Sequence, residues 1–287
     1  MPDRDTSLRR NVAPTRMLAV RDGRWSECPD SLATEEPLEI RAGGPGQDPV
    51  SVAVTMRTPG HDFELAVGFL HTEGLIAGHD DVASVAYCEV PDGEQRYNVV
   101  TVGLRRAFDA AGMRRNFYAT SSCGVCGKAS LDQVEVRCDR LAPGPTISTS
   151  AILRMPQDLR RAQLLFERTG GLHGAALFDP GGRVVAVRED VGRHNAVDKL
   201  IGQGVLAGDL PLSERVLLVS GRASFEIVQK AAVAGIPVVC AVSAPSSLAV
   251  EAAERFGMTL VGFLRDRAFN VYSHGERIER SARVRDS

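Results

Sequence analysis

The sequence predicts an α/β fold: a mainly parallel sheet in the second half of the chain, with a smaller α+β unit before it. Past residue 215, short apolar segments alternate with amphipathic ones, a rhythm typical of strands joined by right-handed helical crossovers. Residues 50–56 alternate between apolar and polar, which predicts a half-buried strand. At 287 residues, the chain is long enough for two domains, each with its own core.

The second half carries the most regular pattern. Strands are predicted at residues 216–219, 237–242 and 259–264, and helices at 224–234 and 247–256. A helix over residues 155–169 precedes them and ends at Gly170, and a hairpin over residues 175–187 turns on residues 179–182. Such alternation implies a sheet covered by helices on both faces.

The first half is less regular. Residues 1–16 are polar and aperiodic, which indicates a frayed terminus, and residues 41–49 have the composition of a loop. A helix begins at Asp62 and stops near Gly74, and a hairpin pairs residues 82–90 with 96–104. Composition shifts at residues 141–145, so we place a boundary there, between domains 1–145 and 146–287.

Composition excludes several classes of protein. The net charge of −2 shows no basic excess, which makes nucleic acid a poor partner. No apolar run reaches membrane-spanning length and the first ten residues hold no signal-peptide core, so we expect no membrane insertion and a cytoplasmic protein. Six cysteines over such a length do not indicate a disulfide framework.

A thiol pair, Cys123 and Cys126, is the most chemically distinctive feature. Glycines flank Cys126, small and hydroxylated residues precede Cys123, and Lys128 follows. A Cys-x-x-Cys pair supports a reversible disulfide, half of a metal site, or a persulfide, and a nearby cation lowers the thiol pKa in each case. An inert pair of small residues in a turn is the alternative.

Three established thiol or metal classes fit poorly. A structural zinc needs four ligands, and no second pair accompanies the first; Cys138 and Cys88 are the nearest candidates, so no metal is predicted. A thioredoxin-like pair would follow the first strand of a βαβ unit, but this one precedes the alternation. A zinc nucleobase deaminase needs a His-x-Glu motif, and the segment at His173 lacks the glutamate.

Three predicted strand ends converge on a possible ligand crevice: residues 220–222, 243–247 and 264–267. The first two lead into helices, whose N-termini attract anions, and arginines add planar donors suited to phosphate. A phosphorylated, nucleotide-like ligand is therefore expected. The alternative is that the serines are ordinary caps and the arginines face solvent.

Two histidines stand in unusually specified segments, residues 169–175 and 188–199. His173 lies among glycines and is expected to face a ligand. His194 could act as an acid or base or bind a ligand. A capping and salt-bridge network around Asp190 or Asn195 is the other interpretation.

These segments together resemble a known family, the formate dehydrogenase accessory sulfurtransferases (FdhD). The similarity is carried by residues 57–64, 68–74, 121–128, 170–173, 189–196, 220–222, 263–265 and 270–272. It spans about residues 50–272 in several ordered motifs, and the thiol motif has no break.

The resemblance implies a function, a substrate and site residues. The protein would take persulfide sulfur from a cysteine desulfurase and deliver it to the molybdenum of bis-molybdopterin guanine dinucleotide before insertion into formate dehydrogenase. Cys123 would carry the persulfide and Cys126 would relay or resolve it. Residues assigned to cofactor binding, from the crevice and the resemblance together, are Phe263, Leu264, Arg265, Asp266, Arg267, Ala268, Ser220, Gly221, Arg222, His173 and His194.

The resemblance further implies a cytidine deaminase-like C-terminal fold and a homodimer, and GDP is expected to mimic part of the cofactor. A rival function is a non-catalytic chaperone that binds the molybdenum cofactor and uses its cysteines structurally or as a redox gate.

Overall fold

The computed structural model describes residues 11–88, 97–109 and 140–279. The predicted thiol loop, with Cys123, Cys126, Lys128 and Cys138, lies outside these residues, as does the turn predicted between residues 90 and 96.

The elements follow the chain in this order. The strands are β1 (Val12–Arg21), β2 (Arg24–Ala33), β3 (Glu36–Gly43), β4 (Val50–Arg57), β5 (Val82–Tyr87), β6 (Val99–Leu104), β7 (Ile147–Ser148), β8 (His173–Phe178), β9 (Val184–Asp190), β10 (Val216–Val219), β11 (Val238–Ala241), β12 (Thr259–Arg265), β13 (Ala268–Ser273) and β14 (Ile278–Glu279). The α-helices are α1 (Asp62–Thr72), α2 (Thr149–Ala162), α3 (Leu164–Thr169), α4 (Arg193–Ala207), α5 (Phe225–Val233) and α6 (Ser247–Phe256), with 3-10 turns at His79–Asp81 and Gly275–Arg277.

A six-stranded sheet, ordered β13-β12-β11-β10-β8-β9, dominates the second half. Strands β10, β11 and β12 are parallel, whereas β8, β9 and β13 are antiparallel to their neighbours. The predicted α/β class is confirmed, but a mainly parallel sheet is wrong: the sheet is mixed. Short connections join β8 to β9 and β12 to β13, so these two pairs are antiparallel. Strand β8 also lies antiparallel to β10.

Helices cover both faces of this sheet, as predicted. Helices α4, α5 and α6 pack with α1 on one face around a core that includes Leu200, Ile227 and Phe256. Helix α2 covers the other face through Ile152 and Met155. Alternate residues of β8, β10 and β11 therefore serve two separate cores, which is why these strands are apolar throughout.

A smaller four-stranded sheet, ordered β4-β3-β6-β5, forms the first half together with α1. Helix α1 crosses α4 with backbones in contact: a Cβ atom on Gly68 would lie 1.9 Å from the Asp198 carbonyl oxygen, and one on Gly202 would lie 1.8 Å from that of Glu64. Only glycine permits this approach. The crossing connects the first half directly to the helix that opens the candidate site.

Most predicted elements are confirmed, with three corrections. Residues 12–16 are not frayed, because β1 pairs with β2 along its whole length. Residues 41–43 continue β3 and are not loop, because β3 pairs there with both β4 and β6. The helix predicted over residues 155–169 begins at Thr149 and is divided at Gln163. The boundary at residues 141–145 and the cytidine deaminase likeness stay predictions.

Within the described parts of the chain, no helix has both the length and the apolar character needed to cross a bilayer.

Candidate functional site

The predicted cofactor-binding residues lie along a single edge of the six-stranded sheet. Parallel strands β10, β11 and β12 end at this edge, and antiparallel β8 begins there. Hydrogen bonds join the segments in turn: the Ser220 amide donates to Gly174 O at 2.9 Å, that of Ser243 to Gly221 O at 3.3 Å, and that of Phe263 to Ser243 O at 3.1 Å. With strands about 4.8 Å apart, β8 and β12 are separated by roughly 14 Å at this edge.

Two parts of the edge differ in construction. The histidine end comprises His173, Arg193, His194, Gly221 and Ser224, contributed by β8, the start of α4 and the loop before α5. The hairpin end comprises residues 263–268, where β12 turns into β13.

At the histidine end, Asp190 holds the turn that leads into α4. Its buried carboxylate lies 2.7 Å from Lys199 Nζ and accepts hydrogen bonds from the amides of Gly192 at 2.8 Å and Thr58 at 3.2 Å. Asn195 Nδ2 donates to Asp190 Oδ1 at 3.0 Å and to Met56 O at 2.8 Å. The end of β4 is thereby connected to the turn that positions Arg193 and His194.

These contacts test the second interpretation of residues 188–199, a capping and salt-bridge network around Asp190 or Asn195. The network around Asp190 and Asn195 exists, although Gly192 occupies the N-cap of α4 and no described side chain caps that helix. His194 does not belong to the network. Its Nε2 instead lies 3.3 Å from Ser224 Oγ and 3.8 Å from a Glu226 carboxylate oxygen.

Burial favours the neutral form of both histidines. Desolvation, assisted by the charges of Arg193 and Lys230, lowers the pKa of His194 to about 4, against the opposing pull of Glu226. Desolvation and Arg193 also lower the pKa of His173. A neutral imidazole donates one hydrogen bond from its protonated nitrogen and accepts one at the other, so both histidines suit ligand binding or proton exchange.

The serines along the edge do not share one role. Ser246 caps α6 by accepting a hydrogen bond from the Ala249 amide at 3.2 Å, as the cap alternative predicts. Ser220 Oγ accepts from the Gly174 amide at 2.9 Å. Ser224 stands at the N-cap of α5 without capping it and contacts His194. Arg222 is exposed beside them.

The hairpin end is largely exposed. The side chain of Leu264 is the exception: it is fully buried in the α2 core, so this residue can offer a ligand only its backbone. Phe263 is 44% exposed and has a left-handed backbone at φ 52°, which is strained for a phenylalanine. Arg265 donates to the carbonyls of Val242 and Leu264. Asp266, Arg267 and Ala268 complete the exposed turn.

Arg193 is the residue that the sequence predictions missed. Its neighbour His194 was singled out, and the available signal was a cation at the first position of a helix that follows a strand. Only the fold brings its charge close enough to lower the pKa values of both His173 and His194.

The thiols Cys123 and Cys126 lie outside the described residues, so their position relative to this edge stays a prediction. Of the described cysteines, Cys88 is exposed, Cys28 is half-buried, and Cys240 is buried with its pKa raised to about 12 by desolvation. Across the described ranges, no group of three His, Cys, Asp or Glu side chains is placed to hold a metal ion.

Comparisons with known proteins agree on one family. The model of the FdhD/NarQ family matches residues 33–279. The sulfur carrier protein FdhD of Streptomyces coelicolor is 51% identical over 278 residues, covering 94% of this chain and 96% of that protein. That of Mycobacterium tuberculosis is 54% identical over 260 residues, covering 87% and 92%.

A solved structure is similar over nearly the whole fold. The crystal structure of a protein from Desulfotalea psychrophila, described as a formate dehydrogenase accessory protein, superposes with a TM-score of 0.72 at 25% identity. The match covers 93% of this chain and 99% of that one.

Proposed function

The chain belongs to the FdhD/NarQ family, and from this premise we propose that it is a sulfurtransferase for formate dehydrogenase. It takes persulfide sulfur from a cysteine desulfurase onto Cys123 or Cys126 and delivers it to a molybdenum cofactor, bis-molybdopterin guanine dinucleotide, which is its substrate. The observation that carries the proposal is the family match over residues 33–279, which includes both thiols and the whole candidate edge.

The thiol segment suits sulfur delivery. Cys123 and Cys126 stand among glycines and small residues, so the sequence next to them has little side-chain bulk. Lys128 supplies a nearby cation, which favours the thiolate that receives sulfur. Cys240, by contrast, is buried and its raised pKa keeps it a thiol, so it is a poor sulfur acceptor.

The candidate edge suits the substrate. A guanine dinucleotide carries phosphates at a distance from its metal, and the edge extends over roughly 14 Å between strands that hold cationic and aromatic groups. The exposed Phe263 offers a ring for stacking, while Arg222, Arg265 and Arg267 offer donors for phosphate.

The remaining expectations belong to the same proposal. Cysteine desulfurase and formate dehydrogenase are the partners, the cytoplasm is the compartment, and the protein acts as a homodimer. The names of the relatives, sulfur carrier protein FdhD and formate dehydrogenase accessory protein, support the carrier role and the formate dehydrogenase connection.

Mass spectrometry after incubation with a cysteine desulfurase and cysteine tests the transfer directly. We expect added sulfur on Cys123 or Cys126, and Cys123→Ala should abolish activation of formate dehydrogenase while GDP binding is retained. Unmodified thiols together with retained cofactor would support the chaperone function instead.

Arg265→Ala tests the edge in a separate experiment. The variant should retain less molybdenum cofactor after purification than the wild type, because a donor to phosphate has been removed. Unchanged retention would remove Arg265 from the binding site.

A further inference from the structure

A cavity of about 360 Å³ lies at the opposite end of strand β12 from the candidate edge. The strand begins beside the cavity at Thr259 and reaches the edge at Arg265, so at about 3.3 Å per residue the two places are roughly 20 Å apart. The walls come from residues 140–146, the turn between α6 and β12, and the 3-10 turn Gly275–Arg277. Ligand pockets measure about 300–1,000 Å³, so this one suits a small molecule.

Arg277 is a buried cation in the wall of this cavity. It is 7% exposed, and its guanidinium donates to the carbonyls of Pro143 and Ala142 and, at 3.2 Å, to Thr259 Oγ1. These three acceptors are neutral, and Arg277 forms no ion pair with another described residue. A guanidinium has five N–H donors, so those not used by these acceptors stay available to a ligand.

The other buried arginine in the described part of the chain shows the contrast. Arg57 contacts the carboxylate of Asp62 at 2.8 Å, so its charge is neutralised in place. At Arg277, desolvation lowers the pKa, the charge of Arg140 adds to that effect, and Glu276 opposes it. The charge of Arg277 is therefore only partly compensated by its surroundings.

Arg140 supplies a second guanidinium to the same lining. Its side chain lies against the end of α6, where a Cβ atom on Gly257 would be 3.0 Å from Arg140 Nε. The residue is exposed, and its side chain has no hydrogen bond or ion pair within the described ranges. All of its donors are free for a ligand.

One carboxylate also lines the cavity. Glu276 contacts His274 Nδ1 at 2.9 Å, and Glu254, which lies outside the lining, is 3.5 Å from the other nitrogen of that ring. Two arginines and one glutamate leave the lining with a net charge of +1. A ligand with a single negative charge balances it.

The remaining wall is largely apolar. Leu141 and Pro143 line it, and Leu141 is fixed by packing on the main core and by its amide, which donates to Phe256 O at 3.0 Å. Gly144 holds the chain close to Pro237, where an added Cβ atom would lie 2.6 Å from the proline ring. An apolar surface of this kind favours a ligand that has a hydrocarbon part beside its charge.

We infer that this cavity binds a small organic monocarboxylate, with the carboxylate between Arg140 and Arg277 and the apolar body against Leu141 and Pro143. The planar donor fork of arginine matches the two oxygens of a carboxylate. The site is distinct from the candidate edge, and its ligand and its test do not depend on sulfur transfer.

NMR titration of the arginine Nε–H signals tests the inference, with benzoate, benzamide and inorganic phosphate as probes. Benzamide keeps the shape of benzoate without its charge, and phosphate keeps a charge without the apolar body. Benzoate should shift the signals of Arg140 and Arg277 saturably. Benzamide and phosphate should each bind about tenfold more weakly or worse, because each lacks one of the two interactions.

Arg140→Met removes one carboxylate donor and should weaken benzoate binding about tenfold or more. The fold should be retained, because this side chain is exposed and bonds to no described residue. Arg277 is left in place, since its guanidinium also holds Ala142 and Pro143. Arg168→Met, which removes an exposed arginine on α3, is the matched control and should bind benzoate as the wild type does.

A wild-type protein whose Arg140 and Arg277 signals do not respond to millimolar benzoate would overturn the inference. Equal benzoate affinity in Arg140→Met and Arg168→Met would also overturn it. Benzamide binding as tightly as benzoate would show that the arginines do not select the ligand, and phosphate binding as tightly would show that the apolar wall does not; either result contradicts a monocarboxylate site.

Discussion

The histidine end and the hairpin end share one sheet edge but are built in opposite ways. Buried contacts fix the histidine end. The ion pair of Asp190 and Lys199 fixes the turn into α4, and Asn195 connects that turn to β4. At the hairpin end, five of the six residues are exposed and Phe263 has a strained backbone.

Because of this difference, the two ends should respond differently to ligand binding and to substitution. Groups whose positions are enforced by buried contacts lose little conformational entropy when a ligand arrives, whereas exposed side chains must be ordered by it. Substitutions that support the histidine end should therefore change stability first, and substitutions at the hairpin end should change binding first.

Lys199→Met should have the largest effect on stability, because it removes the cation of the buried pair that fixes the histidine end. It leaves the Asp190 carboxylate buried without its cation, which costs about 3–5 kcal/mol of the free energy of unfolding. Urea denaturation measures the loss. Arg106→Met, which removes an exposed partner of Asp81, should cost at most about 1 kcal/mol. Equal effects would show that the buried pair does not hold the turn.

Gly202→Ala should displace the histidine end, because the added methyl group clashes at the crossing of α1 and α4. Its Cβ would lie 1.8 Å from the Glu64 carbonyl oxygen, so α1 and α4 must separate at a cost of about 1–3 kcal/mol. Gly78→Ala, with no atom within 4 Å of the added carbon, is the control. NMR signals of His173 and His194 should shift in the first variant only; a stable Gly202→Ala protein with unshifted signals would contradict the crossing.

Acidification should weaken the histidine end, because the folded protein disfavours protonation of His194. The pKa of His194 is about 4 in the folded protein against 6.5 ordinarily, so below pH 6.5 the unfolded chain binds a proton that the folded chain refuses. Stability should therefore fall between pH 6.5 and 5, and His194→Gln should flatten that decline, measured by urea denaturation at each pH. His173 and His71, whose pKa values are also lowered, leave a residual slope. An unchanged slope would show that His194 is solvated.

Phe263→Gly should have the smallest effect on stability. Glycine accepts φ 52° without strain but costs backbone entropy, so the net change should stay within about 1 kcal/mol. Phe263→Ala keeps the strain and should be less stable than Phe263→Gly by about 1 kcal/mol. GDP affinity should fall in both variants. A large loss of stability with unchanged GDP affinity would make Phe263 a structural residue.

Much of the edge was predictable because parallel strands end on the same side of a sheet. Strand ends after residues 219, 242 and 264 could be read from apolar runs, and the edge that they imply is the one observed. The direction in which each side chain points was harder to predict from the sequence. Gly221 lies beside His173 and Arg193, whereas Leu264 is buried in a core, although both belong to segments predicted to bind the cofactor.

Pairing between distant segments was the other unpredictable feature. The β1–β2 hairpin has few apolar residues at regular spacing, so its first strand reads as a frayed terminus, although pairing orders it. Likewise, the β8–β9 hairpin is evident locally, but its membership of the six-stranded sheet, which makes that sheet mixed, depends on contacts with β10.

The sequence by itself determined the family, the thiol pair, the α/β class and the strand ends that form the edge, because these depend on local composition and on motifs along the chain. Only the tertiary structure decided that the buried Arg193 Nε has no hydrogen-bond partner among the described residues, and that Asp190 is satisfied by Lys199 and Thr58. Charge pairing and burial depend on which distant residues meet, and that is a property of the folded chain.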